Sequence, residues 1–433
     1  GLFVILDMHQ DLWGPAIPGG NGAPRWATLT GDQPHRRGSS WSEAYFLSPK
    51  VQAAFDSFWA NKPGPDGVGI QERFALAWRH VAERYADEPA VVGFDLMNEP
   101  SPGSLLTLAG ARIVPYLGGL LFEEADEWGD ILRSYDQVLR RPESRGVLLE
   151  KLDNRHAYED LTEEAAPAFQ HHEKTQLQPM YLRVAEAIRQ VDRRHVVFLE
   201  PNAGANLGVP SQLQPLWTSD KALDPCQALA PHAYDLTTDT GLVAKTSTMR
   251  LELIIERCVA HAKAVHLPLL IGEWGAFYGS ADALEPTTCY ARLFDAHVAS
   301  DAYWDYAPDI ESWAYFHVLC RPRPVAMAGI IQRTKTDPDT GRFKCLWRES
   351  SAVAAPSILY VPISWYPAGY KASLVPSGEG FQSQPVPGGG DNEYLVIPPT
   401  GASAVRQITL ERKAPMQTKK ADSASPAPVF GQH

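Results

Sequence analysis

The chain has 433 residues, of which 44% are hydrophobic and 10% aromatic, and its formal net charge is −12. This length suits a barrel domain followed by a smaller module, and the hydrophobic fraction argues against global disorder. The acidic balance argues against a nucleic-acid partner and against adsorption to anionic membranes by charge alone, because the chain has little capacity to neutralise phosphates.

The first part of the chain alternates apolar runs with amphipathic stretches. The predicted strands are Leu2–Asp7, Val91–Met97, His195–Glu200, Ala228–Ala233, Pro268–Glu273 and Ala302–Tyr306. Helical spacing of apolar residues predicts helices at Gln71–Tyr85, Met180–Val191, Thr248–Val265 and Pro286–Ala299. This alternation predicts a parallel α/β fold, and we expect a (β/α)8 TIM barrel over residues 1–325. A closed barrel of this type has eight strands, so we expect two further βα units ahead of Gly1.

A long connection separates Glu99 from Gln176, and it holds an apolar, glycine-rich part, Leu105–Phe122. Such an insertion either serves the active site or packs on itself as a surface subdomain, and the sequence leaves both readings open. Arg112, Pro115 and several glycines interrupt the apolar part, so no membrane span is predicted.

The pattern changes after the barrel to short alternating runs between glycine and proline turns. These predicted strands are Phe343–Arg348, Ser357–Val361, Lys371–Val375, Glu393–Ile397 and Gln407–Arg412. They predict a C-terminal antiparallel β-sandwich over residues 326–412, and composition predicts a disordered tail over residues 413–433. The five cysteines form no CxxC pair, which weakens a zinc or thioredoxin-like interpretation. We expect no metal and no cofactor.

Two glutamates close apolar strands. Glu99 follows Val91–Met97, and Glu273 ends Pro268–Glu273. Side chains at the carboxyl ends of barrel strands face the active site, so the two carboxylates are expected to converge on one substrate bond. Taken alone, each glutamate is as compatible with a solvated acid at a turn as with a catalytic residue. Together they favour a glycosidase, with carboxyl groups about 5–5.5 Å apart.

Further polar and aromatic residues follow the same strand ends, and we take them as candidate substrate-binding residues. They are His9, Asp11, Asn98, His232, Tyr234, Trp274 and Trp304. An amide at Asn98 suits the sugar 2-hydroxyl, Tyr234 suits a hydrogen bond to the nucleophile, and Trp304 suits stacking on a pyranose. A single strand-end histidine or tryptophan is otherwise more often structural.

The chain resembles the family-5 glycoside hydrolases of clan A, and within them the endoglycoceramidase-like branch. The resemblance is carried by Leu6–Asp11, Gly93–Pro100, Pro231–Asp235, Ile271–Gly275 and Arg321–Gly329. It implies that Glu99 is the acid/base and Glu273 the nucleophile. An arginine that the family carries on an early strand has no match in this chain.

The resemblance implies retaining hydrolysis of a sugar–lipid bond in glycosphingolipids. Leu105–Phe122 is the best candidate to line a groove for the lipid. The alternatives are a β-glucosidase or steryl glucosidase, an endoglucanase, and a non-catalytic glycolipid-binding barrel. By analogy we expect a glycolipid or oligosaccharide substrate, a monomer, peripheral contact with a membrane or micelle, and a secreted or cell-envelope location.

Overall fold

The computed structural model of the chain describes residues 2–38, 40–121, 142–218, 220–377 and 380–413. These residues form two compact units, Gly1–Leu319 and Cys320–His433. Each unit has its own hydrophobic core. The unit boundary falls a few residues before residue 325, because the strand at Arg323–Ala326 pairs within the second unit.

The described residues of the first unit contain six parallel strands, and these correspond to the six predicted strands with their ends shifted by a few residues. They are β1 (Val4–Asp7), β2 (Val91–Asp95), β3 (Val196–Leu199), β4 (Gln227–Leu229), β5 (Leu270–Gly275) and β6 (Ser300–Trp304). β1 to β4 pair in chain order, as do β5 and β6. Parallel bridges from Leu229 to Leu269 and from Ala233 to Trp274 connect the two groups.

Helices cover this sheet, and the four predicted helices are among them. In chain order they are α1 (Ala44–Leu47), α2 (Pro49–Trp59), α3 (Ile70–Tyr85), α4 (Leu106–Leu121), α5 (Pro142–Lys151), α6 (Arg155–His172), α7 (Gln178–Arg189), α8 (Thr248–Val265), α9 (Leu284–His297) and α10 (Phe316–Leu319). A π-helical turn, Glu173–Leu177, joins α6 to α7. Local caps fix several ends: the Ser247 side chain accepts from the N–H of Arg250 at the start of α8, and His266 ends it in a left-handed conformation.

Helix α4 corrects one expectation from the sequence. It runs without a break through Arg112 and Pro115. By length and composition alone, Gly103–Leu121 is apolar enough to cross a membrane, and 22% of that window is buried in the protein. A core helix of a soluble protein passes the same test, so this property does not by itself assign a membrane span.

The second unit is a sandwich of two antiparallel four-stranded sheets, as predicted. One sheet has the order β12 (Gln382–Pro385), β13 (Glu393–Ile397), β10 (Ser357–Val361) and β7 (Arg323–Ala326); the other has β11 (Tyr370–Val375), β14 (Val405–Arg412), β9 (Arg342–Glu349) and β8 (Gly329–Asp337). The five predicted strands are present. The prediction from sequence missed β7, β8 and β12, whose side chains are nearly all exposed or half-buried and therefore lack a buried alternating face.

The cysteines Cys226, Cys258, Cys289, Cys320 and Cys345 are all free thiols. The predicted disordered tail lies, except for Lys413, outside the described residues.

Candidate active site

The two predicted glutamates meet at the carboxyl ends of the strands. Glu99 follows β2, Glu273 lies in β5, and both line one cavity. One carboxylate oxygen of each, together with a ring nitrogen of His232, lie within 4.8 Å of one another. Oxygens this close are compatible with the short separation between the carboxyl groups of retaining glycosidases, in which one group attacks the sugar directly.

The backbone at Glu99 is held in an unusual conformation. Its φ is +42°, in the left-handed region that residues with a Cβ seldom adopt. The preceding Asn98 and Gln10, which lies after β1, are joined by two hydrogen bonds. The side-chain amide of Asn98 donates to the backbone carbonyl of Gln10 at 3.0 Å, and the side-chain amide of Gln10 donates to the backbone carbonyl of Asn98 at 3.0 Å. The loops after β1 and β2 therefore set the direction of the Glu99 side chain.

His232 lies beneath the carboxylate pair and is 2% exposed. Its Nδ1 is 3.0 Å from Oε1 of Glu99 and 3.3 Å from Oε2 of Glu273, and its Nε2 is 3.3 Å from Oε1 of Glu200. Since it contacts carboxylates and does not line the cavity, its predicted role as a substrate-binding residue is corrected to a supporting one. Burial disfavours its charged form, but the charges of Glu200 and Glu273 outweigh burial and raise its pKa well above the usual range.

The Tyr234 hydroxyl donates a hydrogen bond to Oε2 of Glu273 at 2.8 Å. Burial raises the pKa of Glu273 to about 7, with a smaller upward contribution from the charge of Glu99. The charge of His232 and the bond from Tyr234 act in the opposite direction. The nucleophile candidate thus depends on its immediate neighbours to be ionised near neutral pH.

His9, Asp11 and Trp304 line the same cavity. The His9 and Trp304 rings stack with centroids 5.4 Å apart and planes 6° apart. Burial disfavours the imidazolium of His9, but hydrogen bonds and charges from Asp11 and Asp7 prevail and raise its pKa to about 10. His9 therefore presents a positive charge, and Asp11, held by the Asn21 amide at 2.7 Å, presents a negative one.

Trp274 does not belong to this group. It is 1% exposed, packs against Tyr290, Phe294 and Tyr303, and donates its ring N–H to Asp301 at 3.1 Å. Because it follows Glu273 in a strand, its side chain points to the opposite face, into the core. The prediction of Trp274 as a substrate-binding residue is therefore wrong.

Three buried polar residues of the site were not predicted. Asn206 donates its amide to Oε1 of Glu99 at 2.7 Å, Glu200 accepts the backbone N–H of Glu99 at 3.0 Å, and Asp95 is 6% exposed at the end of β2. Glu200 precedes a proline at a strand end, as Glu99 does, and that repeated signal was available in the sequence. Asn206 lies in a short 3-10 turn, Ala203–Leu207, with no such signal.

Two groups of side chains have oxygen or nitrogen atoms close enough to share a metal ion. They are Glu99, His232 and Glu273, and Asp7, Asp95 and Glu200, in each case within 4.8 Å. Closeness of acidic groups also occurs without any ion, and we assign no metal to either group.

The cavity that the two glutamates line is also lined by apolar side chains, and we call this apolar part its apolar branch. The volume of the whole cavity is about 710 Å3. The branch is walled by helices α4, α5 and α6, with Leu106, Ile113 and Leu117 from α4, Leu149 from α5 and Phe169 from α6. The long connection between β2 and β3 thus contributes to the site, and one cavity has both charged and apolar lining residues.

A parallel β/α barrel with two carboxylates paired across a cavity at its strand ends defines a protein of the glycoside hydrolase class. The chain belongs to glycosyl hydrolase family 5. The family model described as cellulase (glycosyl hydrolase family 5) matches residues 1–309, and the glycoside hydrolase family 5 C-terminal domain matches residues 321–397.

Similar proteins carry names of glycolipid-cleaving enzymes. Endoglycoceramidase I of Rhodococcus hoagii (strain 103S) is 23% identical over 90% of this chain and 66% of its own length. A glucosylceramidase of Aspergillus fumigatus is 30% identical over 27% of this chain and 19% of its own length. The solved structure of endo-glycoceramidase II from Rhodococcus sp. with a cellobiose-like imidazole has a TM-score of 0.69 and 26% identity, covering 95% of this chain and 80% of that one. The chain thus spans less than two thirds of the length of these curated relatives.

Proposed function

We propose that the protein is a retaining β-glycosidase that cleaves the bond between sugar and lipid in glycosphingolipids. The observation that carries this proposal is the single cavity that joins the Glu99–Glu273 pair to the apolar branch behind α4. The hydroxyl groups of a glycan do not match a branch walled by leucines and a phenylalanine. The apolar tail of a ceramide does, because burying it there removes apolar surface from water and favours binding. The names of the similar proteins support the same substrate class.

The geometry supports a double displacement. Glu273, ionised with help from Tyr234 and His232, attacks the anomeric carbon, while Glu99 protonates the oxygen that leaves with the lipid. Glu99 then takes a proton from a water molecule, whose oxygen attacks the anomeric carbon and breaks its bond to Glu273, so that the free sugar is released. His9 and Asp11 bind sugar hydroxyls, Asn98 binds the 2-hydroxyl, and Trp304 stacks on the ring.

The test compares release of sugar by the protein and by Glu273→Gln. We expect the protein to hydrolyse glucosylceramide or lactosylceramide, and Glu273→Gln to lose about 1,000-fold or more of kcat, because an amide cannot attack the anomeric carbon. Glu285→Gln, an exposed acid on α9, is the matched control and should keep full activity. Thermal melting checks that each variant is folded.

Three outcomes would overturn the proposal. Full activity in Glu273→Gln would remove the nucleophile assignment. Hydrolysis of cellulose oligomers or steryl glucosides with no action on glycosylceramides would place the protein among the alternative glycosidases, and calorimetry that shows a single binding isotherm without turnover would make it a binding protein.

We further propose that the protein is a monomer, that it is secreted or held at the cell envelope, and that it contacts membranes peripherally through α4. The apolar composition of Gly103–Leu121 and its position as a wall of the apolar branch support the membrane contact. Light scattering tests the monomer, and immunoblotting of fractions from the source cells tests the location; a dimer or a purely cytoplasmic signal would contradict these proposals.

A further inference from the structure

We propose that Glu200 is a positioning residue of this reaction, whose carboxylate fixes both the backbone of Glu99 and the imidazole of His232 in the arrangement that proton transfer requires. This role rests on the proposed function, because positioning presupposes a reaction at Glu99. Glu200 does not line the cavity, so it acts only through the two residues that it holds.

The position of Glu200 explains how one carboxylate reaches both partners. It directly follows β3, is 1% exposed, and lies between the ends of β2 and β4. Its own backbone carbonyl accepts the Tyr181 hydroxyl from α7 at 2.9 Å. The side chain therefore starts from an anchored backbone and points toward the carboxylate pair.

The first contact of Glu200 holds the backbone of Glu99. Oε2 of Glu200 accepts the N–H of Glu99 at 3.0 Å. Because Glu99 has a φ of +42°, its conformation persists only where the surroundings hold it, and a buried carboxylate is a strong acceptor for that N–H. This bond fixes the point from which the acid/base side chain extends.

The second contact of Glu200 sets the proton arrangement of His232. Which imidazole nitrogen carries a proton is decided by the partner of the other nitrogen. Oε1 of Glu200 lies 3.3 Å from Nε2, which favours a proton there, and Nδ1 faces Glu99 and Glu273 at 3.0 and 3.3 Å. Kept cationic by Glu200, the ring reduces the repulsion between the two glutamates and leaves Nδ1–H to orient them.

The surroundings of the pair are mostly acidic. The titratable groups that face Glu200 or His232 from neighbouring elements are Asp7, Asp11, Asp95, Glu99, Glu273, Tyr181, Tyr234 and Cys258. Burial raises the pKa of Glu200 to about 7, the charge of His232 lowers it, and Asp7 adds a smaller upward contribution. His232 and Glu200 thus each depend on the charge of the other.

The test uses Glu200→Gln in the full chain. We expect the pKa of His232, followed by NMR with 15N-labelled histidine, to fall by about one unit or more, because an amide no longer stabilises the imidazolium. We expect kcat to fall about 10- to 100-fold, with KM changed by less than about threefold, since no contact with substrate is removed. The His232 signal is assigned from its loss in His232→Asn.

Glu173→Gln is the matched control. Glu173 is also a carboxylate with 1% exposure, and it accepts hydrogen bonds from Asn202, Ser211 and Gln212 away from the site. We expect this variant to melt at a lower temperature while the pKa of His232 and kcat stay as in the unmodified protein. A purely structural role for Glu200 predicts the same result for Glu200→Gln.

The possible results distinguish failure of the positioning role of Glu200 from failure of the proposed function. An unchanged His232 pKa in Glu200→Gln, or a lowered pKa with unchanged kcat, would overturn the positioning role. If the unmodified protein hydrolyses no glycoside, the proposed function fails, while the NMR titration still shows whether Glu200 controls His232. If Glu200→Gln does not fold, titration of the unmodified protein decides: a His232 pKa at or below about 6.5, the ordinary value, would contradict the coupling.

Discussion

At the scale of single residues, the site is a cluster of carboxylates whose mutual repulsion is reduced by two imidazoles. Glu99, Glu200 and Glu273 surround His232, while Asp7 and Asp11 flank His9. Like charges this close raise one another's pKa, and a buried cation between them opposes that effect. The ionisation of Glu273 is therefore set by its neighbours, and each neighbour can be tested separately.

Tyr234→Phe removes one such neighbour. The hydroxyl stabilises the ionised form of Glu273, so its loss should raise the pKa of Glu273 above about 7. Activity that needs this carboxylate ionised is lost as pH falls through its pKa, so the acid limb of the kcat/KM profile should move to higher pH. A hydrogen bond to a charged group contributes about 1.5–3 kcal/mol, which corresponds to a shift of about one unit or more.

Tyr290→Phe is the control for this shift. Tyr290 is 1% exposed and donates at 2.8 Å to the carbonyl of Ala233, with no contact to either catalytic candidate. Its loss should lower the melting temperature and leave the acid limb in place. If both variants move the acid limb equally, the shift reflects a general loosening of the barrel, and the specific role of Tyr234 is wrong.

At the scale of elements, the barrel strands carry the candidate catalytic residues and the inserted helices form the apolar part of the cavity. Strand ends place Glu99 and Glu273 on one rim, because parallel strands all present their carboxyl ends there. The helices α4, α5 and α6, inserted between β2 and β3, wall the apolar branch. This division predicts that the apolar branch can be altered while the candidate catalytic residues keep their arrangement.

Gly110 on α4 offers that alteration. It lines the cavity, and a Cβ built on it meets no atom of the described residues within 4 Å. Gly110→Phe should therefore fold, since a helix favours other residues over glycine, while its ring occupies space that a lipid tail needs. We expect KM for glycosylceramide to rise about tenfold, because excluding two methylenes forfeits ~1.6 kcal/mol, and hydrolysis of a soluble aryl glycoside to stay unchanged.

Gly119→Phe is the matched control on the same helix. A Cβ at Gly119 also meets nothing within 4 Å among the described residues, but Gly119 does not line the cavity. Kinetics on both substrates should match the unmodified protein. Equal losses on the aryl glycoside and on the ceramide substrate in Gly110→Phe would show that the branch does not hold lipid.

At the scale of the whole molecule, net charge and local hydrophobicity have opposite effects on binding to a membrane. The net charge of −12 opposes adsorption to anionic lipid, whereas helix α4 has the composition of a membrane-contacting segment. The membrane contact that we propose should therefore be driven by apolar burial and be strongest on uncharged surfaces.

Vesicle flotation tests this expectation. The protein should float with phosphatidylcholine vesicles and less with vesicles that contain phosphatidylserine. Leu108→Glu on α4, where the leucine is 55% exposed, should reduce flotation, and Leu182→Glu on α7, where the leucine is 37% exposed, should not. Flotation that increases with phosphatidylserine, or that is unaffected by Leu108→Glu, would contradict contact through α4.

Much of the fold follows from local pattern. The strands and helices of the barrel, the sandwich strands with one buried face, and the candidate pair Glu99 and Glu273 are readable because periodicity and strand-end position are properties of short segments. β7, β8 and β12 were not predicted because their residues do not alternate regularly between buried and exposed positions.

The sequence by itself determined the class of fold and the residues most suited to the chemistry, since these depend on neighbouring residues along the chain. Only the tertiary structure decided that Trp274 faces the core, that His232 lies beneath the carboxylates, and that Glu200 and Asn206 hold Glu99. The physical reason is that these roles are contacts between strands and turns far apart in sequence, and no local period records which distant side chain completes a hydrogen bond.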